Sequence, residues 1–278
     1  MNNVIIIGGG AAGYFTAINA KENNPELDII ILEKGKDVLQ KVKISGGGRC
    51  NVTHACFEPK ELVKFYPRGE KELLGPFHQF MTGDTFEWFD NRGVPLKIED
   101  DNRVFPEANT SQAIIDCFQK AVEKLKIKVF TNHGVNSVSR QENKWIINTK
   151  SQVFEADKLV IAAGSSKKVW QLCESLDHAI IAPVPSLFTF NINDKRLLDL
   201  LGTSVPNATV KISNTKLEAS GPLLITHWGM SGPAVLKLSA FGARILADKN
   251  YQYNVEVNWL SRPTAKVLNV LLNLKKKE

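Results

Sequence analysis

V-I-I-I-G-G-G-A-A-G-Y-F-T-A-I-N-A-K-E-N-N-P-E-L-D-I-I-I-L-E, residues 4–33, decides how this chain folds. Val4 to Ile7 is a short β-branched run, the composition of a strand buried on both faces. It runs straight into Gly8, Gly10 and Gly13, which satisfy G-x-G-x-x-G, and Ala11 to Ala20 then supply helix formers and an apolar stripe until Asn23-Asn24-Pro25. Asp28 to Leu32 is a second buried-strand run closed by Glu33, and 33 minus 13 is the spacing of 20 expected for a carboxylate that accepts hydrogen bonds from a ribose. Strand, glycines, helix, strand and terminal acid in one register make a βαβ unit that binds a dinucleotide. Gly8 permits the tight turn, Gly10 and Ala12 border the pyrophosphate at the helix N-terminus, and Gly13 lets helix and strand pack closely. Glu33 argues against a 2′-phosphate, and so against NADP here, but does not separate FAD from NAD.

A second stretch, I-S-G-G-G-R-C-N-V-T at residues 44–53, is a poor way to build a core, because glycine loses the most backbone entropy on folding and contributes nothing to packing. It suits a ligand pressed against bare backbone. Ser45, Gly46, Gly47 and Gly48 present successive N–H groups as an anion-friendly nest, Arg49 adds a planar fork of donors, and Cys50 and Asn51 complete the loop. Lys34, Lys36, Lys41, Lys43 and Arg49 gather around the same region, which a pyrophosphate-bearing cofactor explains.

Further along, residues 58–92 look helical, and their Phe77, Phe80, Met81, Phe86, Trp88 and Phe89 form an aromatic-rich group best explained as core packing. Val94 to Ile98 and Val104-Phe105 are short strands around a turn, Ser111 to Leu125 an amphipathic helix, and Lys128 to Thr131 another strand. Gly134 to Ser139, Lys144 to Thr149 and Gln152 to Glu155 alternate as a small antiparallel meander. Lys158 to Ala162 is a buried strand ending near Gly164, where the missing side chain lets a cofactor approach the sheet's carboxyl edge, and Ser165 to Leu176 is helical. After Pro183 the texture turns β-rich, with strands expected over Leu187 to Ile192, Ser204 to Ser213 and Leu223 to Thr226, a turn at Thr226 to Pro233, and a helix from Ala234. Pro263 to Lys277 is an amphipathic helix with Val267, Leu268, Leu271 and Leu274 on one face. The domains expected are 1–182, a Rossmann-type cofactor domain, and 183–278, a β-rich domain ending in a helix.

With these motifs quoted, G-G-G-A-A-G at 8–13, Glu33, Lys41, S-G-G-G-R-C-N, N-R-V-F-P at 102–106 and T-H-W-G-M-S-G-P at 226–233, the chain resembles the HI0933-like flavoprotein family across essentially its whole length. The resemblance implies an α/β, glutathione-reductase-like FAD-binding Rossmann domain, a parallel sheet plus β-meander, with a second, β-rich domain inserted into it. It implies FAD lying along the first strand and helix, Lys41 and the Ser45 to Asn51 loop at the phosphate and ring region, and Val135 at the adenine. The implied activity is that of an FAD-dependent oxidoreductase acting on a small organic substrate, with NAD(P)H as a possible reductant and no assigned catalytic side chain. Asn102 replaces a family glycine, His54 an asparagine, and Ala163-Gly164-Ser165 stands in place of a double glycine. The family pattern continues beyond the second domain and returns to cover the flavin, so a chain stopping at Glu278 is expected to lack that segment. Two other readings follow: a truncated FAD-binding remnant without turnover, and a tRNA-interacting flavoprotein.

Composition bounds the rest. At 278 residues and 43% hydrophobic the chain has material for two cores. Its first apolar run is too short and lacks the basic lead-in of a signal peptide or membrane anchor, so a cytoplasmic protein without a membrane partner is expected. Cys50, Cys56, Cys117 and Cys173 show neither a C-x-x-C pair nor clustering with histidine, which argues against a metal site and for inert thiols. The formal charge of +6 invites nucleic acid, but its concentration around the cofactor loop and the lack of an aromatic-interleaved basic stretch argue against it. Oligomeric state is not legible in the sequence.

Overall fold

The computed structural model describes residues 2–275 and divides into two compact units, residues 1–180 and 181–278. In the first, β1 (Asn3–Ile7), α1 (Ala11–Asn23) and β2 (Asp28–Leu32) form the expected βαβ unit. A short helix α2 (Gln40–Ile44) precedes the glycine loop, and β3 (Thr53–His54) follows it. The stretch expected to be one helical region breaks into α3 (Pro59–Leu62), α4 (Glu70–Phe77) and α5 (Thr82–Asp90). Pro67 and Gly69 interrupt the run between α3 and α4, as residues that fix φ or favour turns must, and Pro76 sits in the last turn of α4. Of its aromatic group only Trp88 and Phe89 are buried; Phe80 is exposed, so the core-packing expectation holds for part of the set.

A hairpin of β4 (Leu96–Ile98) and β5 (Arg103–Pro106) pairs onward with β3. There follow α6 (Ser111–Lys124), β6 (Lys128–Phe130), the meander β7 (Val135–Gln141), β8 (Lys144–Thr149) and β9 (Val153–Ala156), then β10 (Lys158–Ile161) and α7 (Lys167–Glu174). The parallel sheet runs β10-β1-β2-β6, the strand order of a Rossmann half-fold.

The continuous apolar runs Val4–Ile7 and Ile29–Leu32 now have a physical reason, because both faces of this sheet are covered. Val4, Ile6, Ile29 and Ile31 pack against Ile18, Ile114 and Phe118 from α1 and α6. Their neighbours Ile5, Ile7, Ile30 and Leu32 face the other way, against Val138, Ile147 and Phe154 of the meander and Val169 and Leu172 of α7. Period-two alternation therefore places an apolar side chain in a core at every position of these two runs.

The second unit is a five-stranded antiparallel sheet made from β11 (Phe190–Asn191), β12 (Ser204–Ile212), β13 (Glu218–Thr226), β14 (Gly229–Ser231) and, after α8 (Pro233–Asp248), β15 (Val255–Asn258), in the order β11-β14-β13-β12-β15. Ala234, Val235, Leu238 and Leu246 of α8 cover Val210, Ile212, Leu223 and Ile225. The strand expected from Leu187 is cut to two residues, since Leu187 is 65% exposed with φ of 61° and cannot continue a strand. The turn expected over Thr226 to Pro233 contracts to a tight hairpin at His227-Trp228, with β14 and the start of α8 occupying the rest of the span. A final helix, α9 (Thr264–Lys275), carries exposed Leu268, Leu272 and Leu274; Lys276 and Lys277 of the expected helix lie outside the described residues. Among the described residues no helix is long and apolar enough to cross a membrane.

Candidate functional site

The site of the first unit is built at the carboxyl ends of β1, β2 and β10. Gly8 leaves β1 with φ of 118°, and a Cβ there would stand 2.5 Å from the Ala162 carbonyl oxygen after β10. Gly13 is tighter, since its Cβ would fall 2.0 Å from the Gly8 carbonyl oxygen, so helix α1 rests directly on the turn that starts it. Gly10 differs from both. It is the N-cap of α1, makes no side-chain cap, and a Cβ on it would meet nothing within 4 Å. The first turn of α1 carries no acidic residue, and Ala11 and Ala12 are exposed. The helix therefore presents uncapped N–H groups and the positive end of its dipole to open space, the environment an anionic phosphate needs.

Glu33 stands beside this turn. Its Oε2 accepts the Gly9 N–H at 2.8 Å and its Oε1 the Gly35 N–H at 2.7 Å, which fixes the carboxylate while leaving each oxygen a further lone pair. Gly9 is the residue that motif reasoning missed: a Cβ there would lie 2.9 Å from Glu33 Cβ, so the glycine between the fingerprint positions is required by the acid. The only sequence signal for it was a third consecutive glycine where the motif asks for two. Burial, assisted by the Glu33 charge, pushes the Tyr14 phenol up to about 12.

Residues distant in sequence converge on the same edge. Lys41 Nζ donates to Ser165 Oγ at 2.9 Å, and a Cβ on Gly164, whose φ is 57°, would lie 3.3 Å from that ammonium. Gly134 lies against Lys34, with Lys34 Cβ 3.2 Å from where its own Cβ would be, so buried Val135 begins β7 next to the Glu33-Lys34 corner. The His133 N–H donates to the Glu33 carbonyl at 2.8 Å and locks that corner.

The triple-glycine loop is a left-handed bend, with φ of 55°, 68° and 85° at Gly46, Gly47 and Gly48 and 61° at Cys50. A non-glycine residue in that region costs about 1–2 kcal/mol, so the surroundings must hold it. They do: the Cys50 N–H donates to the Ser45 carbonyl, the Asn51 carboxamide accepts the Val104 N–H, and the Val52 N–H donates to the Val104 carbonyl. Gly47 and Gly48 are left with open space where their Cβ atoms would be. The fork of donors on Arg49 is engaged within the protein. Its guanidinium donates to Glu99 Oε1 at 2.6 Å and lies 3.9 Å from the centre of the Phe105 ring, bracing the loop against the β4–β5 hairpin. Cys50 is buried, and burial pushes its thiol above the ordinary range against the opposing effect of a Ser45 hydrogen bond, which keeps it protonated and poorly nucleophilic. Among the described residues no group of three or more metal-ligating side chains gathers.

A family model described as the HI0933-like protein Rossmann domain matches residues 2–246. The chain belongs to the HI0933-like family. It is 25% identical over 283 residues to the 3-dehydro-bile acid delta(4,6)-reductase of Clostridium scindens, covering 98% of this chain and 68% of that protein. It is 28% identical over 251 residues to the ribosomal RNA dihydrouridine synthase of Escherichia coli, covering 86% of this chain and 60% of that one. The chain thus spans only about three-fifths to two-thirds of these relatives. Among solved structures it is similar to THI4 of Thermovibrio ammonificans, with a TM-score of 0.43 and 14% identity over 63% of this chain and 62% of that one. In this HI0933-like chain the two glycine-bearing edges, residues 8–13 and 45–51, leave open space at Gly10, Gly47 and Gly48.

Proposed function

We propose that this chain is the cofactor-bearing part of an FAD-dependent reductase, and that residues 8–13, Glu33, Lys34, Lys41, the Ser45 to Asn51 loop, Val135 and Gly164 form the FAD site. The observation that carries the proposal is the uncapped N-terminus of α1 at Gly10, open above and walled by close-packed glycines below. These residues fit the group: Gly10, Ala12 and Gly13 border a pyrophosphate, and Glu33 has lone pairs for ribose hydroxyls. Lys41 holds a positive charge at the strand ends, and Gly47 and Gly48 admit a flat ring against backbone.

Bound FAD would supply hydride chemistry, with NAD(P)H as its source of electrons. The names of the two relatives share one transformation, since a delta(4,6)-reductase and a dihydrouridine synthase both yield a ring more saturated beside a carbonyl. On this reading the protein's part is to bind, orient and exclude water, and the substrate is a small organic molecule with a carbon–carbon double bond conjugated to a carbonyl. The test is reconstitution with FAD followed by anaerobic addition of NADH or NADPH and then a conjugated ring ketone, with the flavin absorbance recorded throughout. Stoichiometric yellow protein that bleaches and recovers supports the reading. A chain that holds FAD without turnover returns it to a binding remnant, and a colourless protein rejects it.

A second reading, in which the reduced ring is a base within RNA, is favoured by the dihydrouridine synthase relatives and the charge of +6. It requires RNA affinity that falls steeply as salt rises; absence of binding at low salt removes it.

A further inference from the structure

A cavity of about 1100 Å³ is lined entirely by residues of the second unit, none of them among the residues assigned above. We infer that it is a binding site for an uncharged, flat, carbonyl-bearing ring compound. Residues of β11 and of β15, the two outermost strands of the sheet, line the same cavity. The volume lies just above the ~300–1,000 Å³ of small-molecule sites and leaves room for a nucleoside or a fused-ring ligand.

The lining defines the chemistry. Phe188, Phe190, Tyr251 and Tyr253 form a chain of tilted and edge-on ring contacts with centroids 5.3 to 6.0 Å apart; Phe190, 2% exposed, anchors the chain in the core, which leaves Phe188, Tyr251 and Tyr253 as the aromatic wall. Four primary amides, Asn191, Asn193, Gln252 and Asn254, also line it, and among the described residues none of their side chains has a hydrogen-bond partner. An amide both donates and accepts, so the set matches a ligand edge with a carbonyl beside an N–H or hydroxyl. The only charged lining residues, Asp194 and Arg196, neutralise each other through a forked pair at 2.6 to 3.0 Å, so the wall offers no net charge to an ionic ligand. The inference does not rest on the flavin reading, because every lining residue belongs to the second unit.

The experiment is calorimetric titration of the full chain, without flavin, by uridine and separately by testosterone as a neutral ring ketone, with uridine monophosphate as the charged comparator. Saturable one-to-one binding of either neutral probe is expected, unaffected by added salt and weakened about tenfold in each of Asn193→Ala and Asn254→Ala. Both side chains are exposed, so circular dichroism of these variants should match the parent. Uridine alone binding assigns a nucleobase, and testosterone alone assigns a fused-ring ketone. The inference is overturned if neither probe saturates, if both variants bind as the parent does, or if the monophosphate binds more tightly than uridine in a salt-sensitive way.

Discussion

Replacing Gly10 with alanine separates folding from cofactor binding, because the two processes see different sides of that residue. Gly10 sits at φ −95° and ψ −173°, a conformation open to any residue, and its added methyl would touch nothing within 4 Å. The folded chain should tolerate it, and the stiffer unfolded chain should raise stability by about 0.4–1 kcal/mol. A pyrophosphate lying on the first N–H groups of α1 would meet that methyl. Overpacking of this kind costs ~1–3 kcal/mol, which at about 1.4 kcal/mol per tenfold weakens FAD binding about 5- to 150-fold. Gly13→Ala is the contrast. Its Cβ would stand 2.0 Å from the Gly8 carbonyl, against the 3.0 Å below which Cβ contacts essentially never fall, so backbone must shift by 1.0 Å or more. That variant should lose about 1–3 kcal/mol of stability despite the better helix propensity of alanine. Urea denaturation without flavin, paired with fluorescence titration by FAD, reads both quantities. Parent-like FAD affinity in a well-folded Gly10→Ala chain would refute the placement of the cofactor on this helix.

Three further outcomes are expected. Glu33→Gln turns a donor toward either the Gly9 or the Gly35 N–H, so the urea midpoint should fall by an amount equivalent to ~1–3 kcal/mol at unchanged slope; an unmoved midpoint means the carboxylate is not fixed as described. Arg49→Lys forfeits the fork on Glu99 and the stacking on Phe105, and should destabilise the first unit by about 1 kcal/mol in the same measurement, the pair being partly exposed. In an ultraviolet titration of the phenols, two of the four tyrosines, Tyr14 and Tyr253, should ionise near 12 because burial opposes their charged form. Their folded-state values lie above the ordinary value of about 10, so the associated stability is whole below about 10 and is lost as pH rises through 12; ionisation of Tyr14 and Tyr253 near 10 in the folded protein would contradict the burial.

Local chemistry made much of the first unit legible. Val4 to Ile7, the three spaced glycines and Asp28 to Leu32 can satisfy their backbone and bury their side chains in few ways other than a βαβ unit, and the strands form where the composition placed them. The meander and β10 followed from alternation and from glycine at a strand end. Less was legible where chain direction is set by φ rather than by hydrophobic period: Leu187 at positive φ shortens β11, and prolines divide the region after Cys56 into short helices.

What the sequence by itself determined was which backbone would be left bare: the glycines at 8, 10, 13 and 46–48 have no side chain to cover it, wherever the rest of the chain goes. Only the tertiary structure decided which bare positions are packed shut and which stay open, since that depends on residues far away in the chain. Ala162 closes Gly8, Glu33 and Val38 close Gly9, and Phe105 together with the nearby Asn51 backbone closes Gly46, whereas Gly10, Gly47 and Gly48 face space. Arg49 shows the same division: its charge was written in the sequence, but the partner that holds it, Glu99, lies 50 residues away and is brought to it by a β-hairpin.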